Sequence, residues 1–148
     1  MEILKLINTG SQELKNNNVN SYRIDSEILL AKILNKNREK LLINLDQKVK
    51  PHDVKKFNKM IARRSSKEPI AYILNEKEFW SKIFFVNKGA LIPRPETELM
   101  VEKIVNIFKK KNLYILDIGT GSGCILLSIL SELKNSKGIG VDISQKAI

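Results

Sequence analysis

Asp117, Gly119, Gly121, Gly123 and Asp142 are the residues of this chain whose types and spacing can do chemistry. They sit in LYILDIGTGSGC, residues 113 to 124, and in GIGVD, residues 138 to 142. An apolar run ends in an aspartate, and glycines then alternate with small polar residues through Gly119-Thr120-Gly121-Ser122-Gly123. Glycine has no Cβ, so it takes backbone angles closed to other residues and lets a ligand approach the main chain. A loop that leaves a strand and enters a helix also aims unpaired N–H groups and the positive end of the helix dipole at the crevice beyond the strand. A group with an anionic or acceptor end belongs there.

Three occupants of that loop stay open on these residues alone. A nicotinamide dinucleotide calls for G-x-G-x-x-G, and this loop is G-x-G-x-G. S-adenosylmethionine suits the set better. Its carboxylate can use the helix N-terminus, its ammonium an acidic group such as Asp117, and its ribose hydroxyls Asp142, which lies 23 residues after Gly119. The third is a purely structural turn, with Asp117 tethering the loop and Asp142 an ordinary strand-end residue. Cys124, the single cysteine, falls at the start of a helix, where a thiol pKa can be lowered. No histidine base is near it in sequence and no metal-ligand cluster surrounds it, so it reads as a small packing residue. His52, the one histidine, falls in a basic helical stretch and reads as a surface residue.

The elements that position these groups follow a change of grammar along the chain. The first half reads as short helices. Ile3, Leu4, Leu6, Ile7 and Leu14 make one stripe. Ser21 can cap a second helix, with Ile24, Ile28, Leu29, Ala31 and Ile33 inward. A third covers Arg38 to Leu45. Pro51 opens a fourth through about Ser65, with Val54, Phe57, Met60 and Ile61 inward. A last turn follows Pro69. From Glu76, EFWSKIFFVN is aromatic and β-branched around a polar Ser81-Lys82 pair, the pattern of a β-hairpin. LIPRPETE is extended, and a helix runs from about Glu96 to Lys111. Leu113–Asp117 is expected as a short buried strand, 122 to 133 as a helix facing the sheet, and 138 to 142 as a second strand. Strand, helix, strand is the opening of a parallel α/β sheet.

Composition sets bounds. The 148 residues are 43% hydrophobic, enough for a core, and carry a net charge of +10. Between Lys36 and Lys67, eleven Lys/Arg face three Asp/Glu, a stretch able to attract an acidic partner or nucleic acid. Lysine outnumbers arginine 21 to 5, which suits compositional drift as well as selection for charge. Nucleic acid therefore ranks behind other direct substrates. No run approaches the roughly 18 to 20 apolar residues of a membrane span, and no basic stretch leads into an apolar one at the N-terminus. A cytoplasmic protein that does not meet a membrane is the simplest reading.

RRSSKEPIAYILNEKEFWSKIFFVNKGALIPRPETE, followed by LDIGTGSGCI and GVDIS, closely resembles the PrmC/HemK protein-glutamine methyltransferases, and DSEILLAKIL fits their N-terminal domain. EPIAY, EFW and IPRPETE in this order are far more specific than the glycine loop. The resemblance implies an α/β protein in three parts: a small helical bundle that recognises the release factor (1–73), a β-hairpin and Pro-rich linker (74–95), and the start of a Rossmann-like methyltransferase domain (96–148). It implies S-adenosyl-L-methionine as cofactor. It also implies methylation of the glutamine amide in the Gly-Gly-Gln motif of class 1 peptide chain release factors, in translation termination. By position, Gly119, Thr120, Gly121, Ser122, Gly123 and Asp142 match the cofactor site. Pro93, Arg94, Pro95, Glu96 and Thr97 match the segment lining it, with Arg94 and Glu96 as contacts. The plain alternatives are a solvent-exposed or salt-bridged Arg94 and helix capping by Glu96 and Thr97.

The family's catalytic Asn-Pro-Pro-Tyr motif is absent: the prolines are Pro51, Pro69, Pro93 and Pro95, and none follows an asparagine. No catalytic residue is therefore assigned. The expectation is an N-terminal fragment, inactive alone, of a longer enzyme. A nucleic-acid amino methyltransferase and a non-catalytic binding module are the alternatives.

Overall fold

Helical periodicity in the first half of the chain becomes five helices: α1 (Ile3–Asn16), α2 (Tyr22–Ile33), α3 (Arg38–Ile43), α4 (Pro51–Ser65) and α5 (Ile70–Leu74). Pro51 opens α4, where its missing N–H costs nothing. Asn37 caps α3, its side chain accepting from the Lys40 N–H at 2.9 Å. The computed structural model describes residues 1–147. It divides into two units, Met1–Leu74 and Asn75–Ile148.

The core of the first unit joins Ile3, Leu6, Ile7 and Leu14 of α1 to Leu29 and Leu30 of α2 and to Phe57 and Ile61 of α4. Three expected positions differ. Leu4 and Ile24 are exposed. Ser21 stands at the N-cap of α2, but its hydroxyl donates to the Asp25 carboxylate at 2.8 Å instead of capping the backbone. For the two α2 positions the reason is the buried polar run Asp25-Ser26-Glu27, which takes positions that hydrophobic periodicity reserves for apolar residues. Each member is satisfied. The Arg64 guanidinium donates to Asp25 at 2.7 Å, and Ser26 Oγ donates to the Ile7 carbonyl at 3.0 Å. Glu27 accepts from Arg23 at 2.8 Å and from Arg38 at 2.7 Å. Buried charges are tolerated when paired and hydrogen-bonded in this way.

The second unit opens with the hairpin β1 (Glu76–Phe79) and β2 (Lys82–Phe85), antiparallel with Phe79 opposite Lys82. The turn is therefore Trp80-Ser81, one residue before the expected polar pair. Both residues have positive φ, 52° and 53°, as a turn matching strand twist requires. Trp80 is held there because its N–H donates to Glu98 and its indole Nε1–H to Glu132, each at 2.8 Å. A 3-10 turn, Pro95–Thr97, leads into α6 (Glu98–Phe108). Strand β3 (Tyr114–Ile118), helix α7 (Cys124–Glu132) and strand β4 (Lys137–Val141) complete a parallel β-α-β unit, with Leu116 opposite Ile139.

The β3–β4 pair is covered on one face only, so the expected buried strand is half buried. Gly138 lies on the covered face, where a Cβ would meet Leu126 Cδ1 at 2.5 Å; the glycine lets α7 approach. On the other face Tyr114, Leu116, Ile118 and Ile139 are exposed. Among the described residues no helix is long and apolar enough to cross a membrane.

Two stability predictions follow from the helical unit. A Cβ at Gly10 would lie 2.7 Å from Phe57 Cζ, 2.8 Å from Ser26 Oγ and 3.0 Å from Ile61 Cδ1. Overpacking of this kind costs about 1–3 kcal/mol, against about 1 kcal/mol gained in helix propensity by Gly→Ala. Gly10→Ala alone is expected to destabilise by about 1 kcal/mol. Gly10→Ala made in a Phe57→Leu background should cost less than in the parent, since the nearest of the three contacts is removed. A four-variant urea cycle followed by far-ultraviolet circular dichroism checks this, and additive effects would refute the packing account. The second concerns pH. Burial pushes the Glu27 carboxyl up, but hydrogen bonds from Arg23 and Arg38 outweigh it and hold the pKa below the usual 4.5. A lowered folded-state pKa stabilises fully above the unfolded value, and that stability is lost as pH falls through the folded value. Glu27→Gln should flatten the acid limb of the stability–pH curve below about 4.5. An unchanged limb would assign the acid loss to other carboxylates.

Candidate cofactor-binding loop

The strand pairing of β3 with β4 continues past its last rung into the glycine loop. The Val141 carbonyl accepts from both Gly119 N–H at 2.8 Å and Thr120 N–H at 3.0 Å. The chain can curl this tightly because Gly119, Gly121 and Gly123 have φ of 78°, 55° and 72°, the left-handed region that disfavours any residue with a Cβ. Gly123 is the N-cap of α7 and accepts from Leu127 N–H at 2.9 Å. A Cβ built on Gly119 would meet nothing within 4 Å, so the backbone there borders open space into which a ligand can come.

Two carboxylates brace the loop. Asp117, the next-to-last residue of β3, accepts from Thr120 Oγ1 at 2.8 Å. Asp142, just beyond β4, accepts from Gly121 N–H through Oδ2 and from Ser144 N–H through Oδ1, both at 2.8 Å. These backbone bonds, Ser144 first and Gly121 next, hold the Asp142 carboxyl below its usual value. It is an anion at neutral pH, and each oxygen keeps acceptor capacity beyond the bond it already makes.

The structure thus gathers Gly119, Thr120, Gly121, Ser122, Gly123, Asp117 and Asp142 at one end of the parallel pair. Arg94 and Glu96 are exposed, and among the described residues neither side chain is bonded to the loop. Pro95 and Glu96 lie in the 3-10 turn, and Thr97 precedes α6 without a side-chain cap, so the capping role considered for Glu96 and Thr97 is absent. The segment after the hairpin comes nearer: Ala90 Cβ is 3.9 Å from a Cβ built on Gly121. Cys124 is buried, and burial is the main reason its thiol pKa is raised. The helix start does not activate it, and it packs with Phe79, Phe84 and Val101. His52 is exposed, and its ring Nδ1 lies 3.0 Å from the Asp53 carboxylate.

What the residue pattern did not indicate is that Asp142 grips the loop itself. The signal was the position of an acid at the end of the second strand, which suggested a ligand contact or an ordinary strand-end residue. Asp142→Asn keeps the shape but removes the charge and leaves one acceptor oxygen for two N–H donors. It should speed amide hydrogen exchange at Gly121 and Ser144 severalfold while leaving the helical unit unchanged. Equal protection in the variant would show that the clamp does not hold the loop.

Residues 5–74 match the family model described as the PrmC N-terminal domain. The chain is 40% identical over 148 residues to a release factor glutamine methyltransferase of Leptospira interrogans, an alignment covering 99% of this chain and 52% of that protein. It is 44% identical over 126 residues to the release factor glutamine methyltransferase of Buchnera aphidicola subsp. Schizaphis graminum, covering 85% and 46%. It is 36% identical over 165 residues to a bifunctional methyltransferase of Rickettsia typhi, covering 99% and 32%. The chain spans about half the length, or less, of these curated relatives.

Proposed function

Because the chain belongs to the PrmC/HemK family, we propose that it carries the substrate-recognition bundle and the cofactor loop of an S-adenosylmethionine-dependent protein-glutamine methyltransferase. The substrate is the side-chain amide of the glutamine in the Gly-Gly-Gln motif of class 1 peptide chain release factors. The observation that carries this reading is the loop of three left-handed glycines braced by Asp117 and Asp142 at the end of a parallel β-α-β unit.

The residues present fit the cofactor. The N–H groups of the first turn of α7 suit a carboxylate, Asp117 suits an ammonium, and the unused acceptor capacity of Asp142 suits two ribose hydroxyls. Bound there, S-adenosylmethionine supplies an electrophilic methyl on sulfur. Arg94 and Glu96 are assigned to the same pocket by family position. Their exposure leaves them available to it.

An amide nitrogen is a weak nucleophile because its lone pair is delocalised into the carbonyl. Its methylation depends on in-line placement and on acceptors that hold the amide N–H groups. The Asn-Pro-Pro-Tyr motif to which the family resemblance assigns that task is not among these 148 residues. The amide-orienting task is therefore assigned to no residue of this chain, and the role proposed for its loop is cofactor binding.

Titration of the isotope-labelled chain with S-adenosylmethionine should shift the amides of Gly119, Gly121 and Gly123 saturably. Asp142→Asn should weaken binding about tenfold, the scale of a hydrogen bond to a charged group. No labelled methyl should enter a release factor. Absence of saturable shifts would overturn the cofactor assignment, and methyl incorporation would show that the chain supplies amide-orienting groups of its own.

A further inference from the structure

A groove of about 550 Å³ runs between α2 and α4, lined by Lys32, Ile33, Lys56, Lys59, Met60 and Arg63. Four of its six lining side chains are cations and none is an acid. Ile33 and Met60 are half-buried and form an apolar floor. On α4 the groove residues recur as 56, 59, 60 and 63, spacings of three and four that put one stripe of the helix into the groove. Arg63 is already held by Glu68, with both guanidinium contacts at 2.8 Å. Its stem forms the wall, and its charge is partly answered from outside the groove. Lys56 and Lys59 are exposed and lie one turn apart along this stripe.

We propose that this groove docks an acidic amphipathic helix of a partner protein. Carboxylates one turn apart on such a helix would face Lys56 and Lys59, and an apolar side chain between them would enter over Ile33 and Met60. Methionine adapts its shape to an incoming side chain, and helix-in-groove recognition uses anchors at this spacing. The lining favours protein over nucleic acid. It offers no aromatic face on which a base could stack, and its apolar floor gains nothing from a phosphate backbone. The proposal deepens the recognition role given to the helical unit. It needs no cofactor, so its failure and that of the cofactor assignment are separable.

The test is fluorescence anisotropy of the whole chain with a labelled helical peptide. The peptide carries glutamates at i, i+3 and i+7 and leucine at i+4; a scrambled peptide of equal composition and a single-stranded uridine oligonucleotide are the comparisons. The ordered peptide should bind saturably and more tightly than both. Lys56→Glu with Lys59→Glu should weaken it about tenfold, the scale of two reversed rim pairs, with unchanged circular dichroism since both side chains are exposed. Met60→Ser should weaken the ordered peptide while leaving the scrambled one alone. Equal binding of ordered and scrambled peptides would overturn the proposal in favour of diffuse charge attraction. Tighter binding of the oligonucleotide, lost in the lysine variant, would overturn it in favour of nucleic acid.

Discussion

The carbonyl of Val141 is where strand pairing turns into a site. It takes two N–H donors from the loop that follows the opposite strand, Gly119 and Thr120, where an ordinary rung would take one. The glycine loop is thus hung from β4 and does not project freely from β3. Asp142, the next residue, reaches the same loop one step further along through Gly121. The position of the loop is fixed by the parallel register, and the register is fixed by which face of each strand packs on α7. Gly138 and Gly140 on β4 belong to this arrangement: the first yields space to Leu126 and the second to Thr120. Preorganisation of this kind places the cost of ordering the loop in folding, before any ligand arrives.

Much of this frame was legible in the residues. Strand, glycine loop and helix follow from an apolar run, three spaced glycines and a renewed apolar periodicity, and the observed β3, α7 and β4 lie within two residues of their expected limits. The hairpin was legible too, but its turn was displaced by one residue. A tryptophan at positive φ is not a sequence signal; it is held by the two hydrogen bonds Trp80 donates to the carboxylates of Glu98 and Glu132. The half-covered sheet was missed because an apolar run reads the same whether it has one packed face or two.

The helical unit shows a different limit. Helix α2 lacks a clean apolar stripe because Asp25, Ser26 and Glu27 are buried. Their partners come from α1, α3 and α4 and from the helix itself, at separations in sequence of up to 39 residues. Periodicity sees neither the burial nor the partners. Such charges discriminate among packings more than they add stability: a bundle assembled with the wrong helix against α2 would bury Asp25 or Glu27 without a guanidinium, at the cost of an uncompensated charge.

Trp80 is the chain's one tryptophan, and it is fastened at both its backbone and its ring within the second unit. The first unit holds Tyr22 and Tyr72 and no indole. The molecule therefore carries a built-in optical label on one unit only. Indole emission reports the hairpin and its grip on α6 and α7, while tyrosine-selective signals draw mainly on the helical bundle. A difference between the two signals during unfolding would measure whether the units melt as one cooperative body or as two, with no dye or added probe.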